Sequence, residues 1–403
     1  MSVFLYLTLV IFSQKCFSIG IDEITTLAID RSSSLSAQEM EQRALQSEAV
    51  LKGRWQNPQM MGQFGSLKSG DSRGATMEVS FTQPVPLSNK FSLRKEITLM
   101  ALENQKKQTD FFKKWVSHQV ILATWKAYVS NELLKHGIER TKRLALVKKY
   151  LETRAKVTIR QRVELSIITS MLYQLEKMQD MKKYDFEISK KDLVFWIGRD
   201  LNESEIPFSL PEKYRFIEDN KLDTQMDIEL AHAKNIVKIA QIDSELASKE
   251  RRPDLFLGGG YRMENVTPQN HFSYAIVGLN IPLWDTGSNR LEAARARESR
   301  DQKNLEEMER KLVLKQQKQI ELVQLSIEQL KRFPKKFIHL NEQAIKEAEV
   351  GFRQGLLDVN TFLLAETQSH EVIDQVFLSW LSYLENLSSL QLMKGEELKW
   401  ELQ

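Results

Sequence analysis

The cleanest pattern along the chain is an alternation. Over residues 75–82, Ala75, Met77, Val79 and Phe81 fall on one side, and Thr76, Glu78, Ser80 and Thr82 on the other. That two-residue period predicts a β-strand with one apolar and one wet face. Pro84 and Pro86 follow and are expected to stop the pairing, because neither can donate to a ladder. Residues 55–70 are irregular but compatible with a partner strand. A second alternating set appears where Leu255, Leu257, Tyr261 and Met263 interleave with Phe256, Gly258, Gly260 and Arg262, and its partner strand over 272–281 ends at Pro282.

The remaining pattern is helical and long. Residues 35–54 read as a helix with Ser32, Ser33 and Ser34 available as N-caps. From 89 to about 149 only Gly137 could break a helix, and sixty residues would extend roughly 90 Å. A second long helix is expected over about 158–197, with Ile159, Val163 and Ile167 as one stripe and Leu165, Ile168, Leu172 and Leu175 widening it. Helices are also expected over 219–251 and from about 287 past 331, where Ile320, Val323, Ile327 and Leu330 recur at spacings of 3, 4 and 3. Pro334 must kink or interrupt this last one. In the final helix Ile373, Phe377, Trp380, Leu384 and Leu387 mark a coiled-coil seam. Glu366, His370, Glu371 and Glu385 are expected to keep its other faces wet.

These elements come in the same order twice. Pro58 and Pro253 lie 195 positions apart, and Pro86 and Pro282 lie 196 apart, so one offset superimposes both landmarks to within a residue. A duplicated architecture follows, each half a small β element carried on very long helices. The expected organisation is a first repeat over 19–201, a linker over 202–218 that contains Pro207 and Pro211, and a second repeat over 219–403.

Composition narrows the function. The net charge is +3 and charged residues make up 28% with both signs interleaved, so no basic block marks a nucleic-acid binder. Sixteen glycines and nine prolines in 403 residues favour long uninterrupted elements. The apolar run from Val3 to Phe12 is too short to span a bilayer but suits the core of a signal peptide over 1–18. The single cysteine, Cys16, excludes a disulfide within one chain, and the polar Ser13-Gln14-Lys15 before it does not suit lipid attachment. Beyond that region no apolar stretch is long enough for a membrane helix, so any membrane passage must be made of strands.

Catalytic constellations are not visible, and neither an enzyme nor a cofactor is expected. His118, His136, His232, His271, His339 and His370 are scattered singly, without ligand spacing, and read as solvated or capping residues. Gly258-Gly259-Gly260 lacks the following Lys-Ser/Thr of a phosphate loop and suits a strand packed tightly against its neighbours or a barrel corner. The strands themselves admit two readings. In one they form an ordinary sheet packed on helices, in a soluble periplasmic coiled-coil adaptor or structural protein. In the other the apolar face meets lipid and the polar face lines a lumen. Four strands are too few to enclose a water-filled barrel, so the second reading requires an oligomer.

Several segments in sequence order resemble one family. Arg251 to Tyr261 looks like its "RPDL…GGGY" strand, and Val277 to Gly287 like its "vGlsiPLfdrG" segment. Phe352-Arg353-Gln354-Gly355 followed by Phe362 to Glu366 is similar to its "Y-x-x-G…lL-a-e" helix-tip motif, and Phe81 to Leu87 to its "sqplpl" segment. The family is that of the TolC-like outer-membrane efflux proteins, and the resemblance covers nearly the whole chain. The "RRPDLFLGGGY" wording and short C-terminus look nearer the heavy-metal (CzcC-like) branch than the drug-efflux type.

The resemblance implies a mainly α-helical fold with a small transmembrane β part. Three copies would share a twelve-stranded β-barrel, four strands from each, and continue as a helical tunnel in the periplasm. It implies a passive homotrimeric exit duct in the outer membrane of a Gram-negative cell, surrounded by outer-membrane lipid. The partners it implies are a periplasmic adaptor and an inner-membrane pump, of which the RND type is one class. Pro86 and Pro282 would end barrel strands. At the helix tips, Phe352, Gly355, Asp358 and Asn360 are candidates on the second repeat; Thr361 and Leu364 stand where the family often places acidic residues. Arg154, Lys156, Arg160 and Arg162 on the first repeat would form a positive collar.

Overall fold

The computed structural model describes residues 20–69, 72–154, 158–199, 210–211, 228–265, 269–280 and 286–399. The elements run α1 Ile21–Arg31, α2 Ser33–Lys52, β1 Gln59–Ser69, β2 Ser72–Val85, α3 Lys90–Arg154, α4 Ile159–Ile197, α5 Ile228–Glu250, β3 Asp254–Asn265, β4 Asn270–Asn280, α6 Ser288–Arg332, α7 Lys336–Arg353 and α8 Val359–Met393. All four expected strands form. Helix α1 has no counterpart in the sequence reading, and the expected first turns of α5 and the signal segment lie outside the described residues.

The chain divides into two units, each drawing on separate stretches of sequence. One, Ser34–Phe111 with Asp223–Leu314, holds the sheet. Its order is β1-β2-β3-β4, antiparallel throughout, with Val79 opposite Gly62 on β1 and Tyr261 on β3, and Tyr261 opposite Ser273 on β4. Strand β2 runs through Pro84, which pairs with Phe256, and stops at Val85 just before Pro86. Pro84 is tolerated because β1 ends opposite Thr82, so β2 has only β3 beside it there. Lys90, nearly buried, then anchors α3 by donating to the Arg252 carbonyl and the Asp254 carboxylate, each at 2.9 Å.

The other unit, Met1–Ser33, Phe112–Leu222 and Lys315–Gln403, is helical. Its larger core gathers Ile121, Trp125 and Val129 of α3 with both sequence-predicted seams, Ile320 to Leu330 on α6 and Ile373 to Leu387 on α8. A second cluster joins the ends of α3 and α4 to those of α7 and α8 through Leu144, Val147, Ile168, Leu172, Phe352 and Phe362. Pro334 does interrupt the helix, separating α6 from α7. Gly137 does not break α3; a Cβ there would meet only the flexible Lys182 side chain of α4, at an ordinary contact distance of 3.4 Å. On α4 the expected stripe divides: Ile168, Leu172 and Leu175 are core, whereas Ile159, Val163 and Ile167 are exposed. This helix carries apolar residues around more than one face, and its own fold covers only one.

Candidate membrane face and helix-turn site

Register places the alternating residues of the four strands on two shared faces. Met60, Phe64, Met77, Phe81, Leu257, Tyr261, Val277 and Leu279 lie together, and all are exposed, Met60 and Phe64 at 77% and Val277 at 72%. The opposite face, with Glu78, Arg262, Glu264 and Tyr274, is half-buried. A sheet stable in water would do the reverse, since burying each such apolar side chain contributes about 1.5–3 kcal/mol. An ordinary sheet with its apolar face packed on helices is therefore not what forms. The edges are equally informative. Strands β1 and β4, of 11 residues each, are hydrogen-bonded on one side only. Long edges of this kind, unpaired on one side, are templates for pairing with another chain.

On the half-buried face several polar groups pair with one another, while Arg262 Nε is buried without a hydrogen-bond partner among the described residues. Tyr274 donates its hydroxyl to Glu78, and Arg262 pairs with Glu264 at 2.9 Å. The glycine run serves this face. A Cβ at Gly258 would collide with the Phe81 carbonyl, and one at Gly260 with the Tyr274 ring. These glycines admit close neighbours, as a tightly packed strand requires.

In the helical unit Glu371 and Glu385 are exposed beside the α8 seam as expected, but Glu366 and His370 are drawn into a buried charge cluster. Glu366 has 0% exposure, and His370 is also buried. Arg140 of α3 donates from Nε to both Glu366 oxygens at 3.0 Å, and from Nη2 to the Thr367 hydroxyl at 2.9 Å. Arg143 lies 3.3 Å from His370 Nε2 and 3.6 Å from Glu349 of α7. Burial, reinforced by Arg140 and Arg143, pushes His370 down to about 3, so the ring is neutral at physiological pH; its Nε2 also lies 3.2 Å from Glu366 Oε1. Burial raises the Glu366 carboxyl above its ordinary value, and Arg140 pulls against that. His118 likewise departs from the expected solvated role. It is buried, bonded to the Ser388 hydroxyl at 2.9 Å and the Glu396 carbonyl at 3.1 Å, and pushed down to about 4 by burial. The missed signal was the set Arg140, Arg143, Glu366 and His370, whose three- and four-residue spacings put each pair on one helix face.

The helix-turn candidates fall into different environments. Phe352 is buried, stacked on Phe362 at 5.2 Å and edge-on to Tyr150 at 5.9 Å. Gly355 adopts φ +77 beyond the end of α7, where a left-handed residue lets the Leu356 amide close on the Gly351 carbonyl at 2.8 Å. Asp358 caps α8, accepting from the Thr361 amide at 2.8 Å; that bond and the nearby Arg160 hold its carboxyl below the usual range. Asn360 is exposed, as is Leu364. Across the other turn, Thr158 caps α4 through the Gln161 amide. Arg160 is exposed and paired with Glu164 at 2.9 Å, Arg162 is exposed, and Arg154 is the last residue of α3. Lys156 lies outside the described residues, as does Pro282, while Pro86 directly follows β2. Among the described residues, no three His, Cys, Asp or Glu side chains are grouped to hold a metal ion, and no helix is long and apolar enough to cross a membrane.

This order of helices and four antiparallel strands recurs in solved structures. A membrane protein of Pseudomonas aeruginosa superimposes with a TM-score of 0.77 at 13% identity, over 94% of this chain and 90% of that one. The MtrE outer membrane channel of Neisseria gonorrhoeae gives 0.74 at 14% identity, over 94% and 89%. The outer membrane protein VceC of Vibrio cholerae gives 0.69 at 14% identity, over 94% and 97%. The fold is that of the TolC-like outer-membrane channels. No family model matches the chain, and no curated protein matches it in sequence. The shared fold is thus accompanied by only 13–14% identity to these three structures.

Proposed function

We propose that this chain is the outer-membrane exit duct of a tripartite efflux or secretion system, a passive channel and not an enzyme. The observation that carries the reading is the sheet, apolar on its exposed face and open along both edges. Open edges cannot persist in hydrocarbon, where no water satisfies the backbone. Pairing β1 of one copy with β4 of the next removes them, and three copies close a barrel of about twelve strands, wide enough for an aqueous lumen. The exposed Ile159, Val163 and Ile167 on α4 support the same assembly, offering each copy an apolar helix face to its neighbour. Substrate then passes down its own gradient while an inner-membrane pump, reached through a periplasmic adaptor, supplies the energy. The adaptor would meet the turns after α3 and α7. There Arg160 is partly neutralised by Glu164, leaving Arg154, Lys156 and Arg162 as the positive collar.

The deciding experiment is single-channel recording in a planar bilayer with the detergent-purified protein. Discrete conductance steps from a heat-modifiable trimer are expected. A detergent-free soluble monomer without conductance would reject the duct in favour of a periplasmic adaptor or structural protein. For the collar, charge reversal at Arg154 and Lys156 should weaken export and adaptor cross-linking together, and unchanged values of both would remove it from the docking surface.

A further inference from the structure

At the turn end of the β1–β2 hairpin the apolar face acquires two cations. Alternation from Met60 through Gly62, Phe64 and Ser66 brings Lys68 onto that face, and alternation from Phe81 through Val79, Met77 and Ala75 brings Arg73 there too. The two residues are paired directly across the ladder, and both are exposed. Like charges directly opposite one another destabilise a strand pair. Neither has a carboxylate partner among the described residues, whereas the cation of the other face, Arg262, is bonded to Glu264. Two cations without a carboxylate partner among the described residues therefore crown a strip of Met60, Phe64, Met77 and Phe81 that is exposed throughout.

We propose that Lys68 and Arg73 bind the phosphate of lipid headgroups at the rim of the membrane-facing surface. The inference rests on the exit-duct reading, which places that surface in a bilayer. An anion between the two side chains turns their mutual repulsion into paired attraction, with charge-assisted hydrogen bonds from both. A lipid, rather than free phosphate, fits the surroundings because acyl chains cover the apolar strip while the headgroup meets the cations, one molecule satisfying both. The hydrocarbon flank also weakens screening of the charges compared with open water.

The test uses the purified full-length chain in phosphatidylcholine vesicles with and without diphosphoryl lipid A. Retained lipid A is counted by native mass spectrometry, and the heat-dissociation midpoint of the oligomer is measured in parallel. Wild-type protein should retain lipid A and gain thermal stability from it. The double variant Lys68→Gln/Arg73→Gln should lose about tenfold to thirtyfold in retention, as expected for two cations at an anionic surface. The charge-preserving Lys68→Arg/Arg73→Lys should retain it, which separates charge from any folding defect. Equal retention by wild type and the Gln variant overturns the proposal, as does displacement of lipid A by inorganic phosphate. Wild-type protein that inserts and conducts with no preference for lipid A overturns this site alone. Failure to enter either vesicle overturns the exit-duct reading together with it.

Discussion

The sheet and the helical unit are built to opposite rules. In the sheet the large apolar side chains face outward, with Phe64 and Val277 mostly exposed, and the polar groups meet one another on the more enclosed face. In the helical unit Ile373, Val376, Tyr383 and Leu384 are wholly buried, and even its charges are drawn in around Glu366. One chain thus specifies two solvents. Helices that keep their apolar seam inside suit water, and a sheet that turns its apolar face outward suits the lipid that the proposed duct would meet. The contrast also separates two uses of polar residues. In the helical unit an ion pair is closed into the core, whereas the charged groups of the sheet, such as Arg262 and Glu264, lie on the face opposite the apolar one.

The largest expected effect tests whether the buried cluster is a true ion pair. Glu366→Ala would leave Arg140 buried without its counter-charge and should cost about 3–5 kcal/mol, read as a fall in the urea midpoint of the helical transition. Replacing both partners, as Arg140→Met with Glu366→Leu, should recover most of that loss, because packed apolar groups carry no desolvation penalty. If the double variant is no better than the single one, Glu366 is held by something other than Arg140. The next effect is aimed at the lipid face. Val277→Arg should lower the folded, membrane-inserted fraction by about 2–4 kcal/mol when the residue sits near the bilayer midplane. The same change at Ser80, on the opposite face, should cost much less. Equal tolerance at both positions would mean that the sheet meets water on both sides.

Much of this contrast is legible in the sequence, for reasons that differ between regions. Strand alternation at 75–82 and the seams on α6 and α8 are periodic, and period is what a side chain's direction follows. The inverted polarity of the sheet is not, because Ala75 to Thr82 reads the same whether the apolar face meets helices or lipid. The exposure of Met77 and Phe81 shows that helices of the same chain do not cover it. Glu366 and His370 were misread for a related reason. A charged residue beside a seam is usually wet, and burial became possible only because α3 brings Arg140 and Arg143 to the same level from far away in sequence. Helix α1 lay hidden behind a modest apolar pattern of which only Ile24 and Ala28 are buried. Of the site candidates, Gly355 and Asp358 were findable from cap chemistry, whereas the burial of Phe352 depends on Tyr150 and Phe362 meeting it.

The smallest effects compare glycines in the two regions, one held by its neighbours and the other by its own backbone. Gly260 lies beneath the Tyr274 ring, so Gly260→Ala must displace that side chain or strain the strand pair, at about 1–3 kcal/mol for an overpacked site. Tyr274→Ser made together with it should return part of that loss, although the bond to Glu78 is then weakened. Gly355 has open space where a Cβ would stand, and only its φ of +77 resists substitution. Gly355→Ala should therefore cost about 1 kcal/mol, the penalty of a left-handed backbone, and Gly355→Asn less, since asparagine visits that region more readily. No compensating side-chain change should rescue Gly355→Ala, because no side chain opposes it. Thermal midpoints of the four variants check this: partial recovery in the Gly260→Ala/Tyr274→Ser double variant and a smaller loss for Gly355→Asn than for Gly355→Ala are the expected results, and a larger loss for Gly355→Asn would mean that the turn after α7 is packed more tightly than its open surroundings indicate.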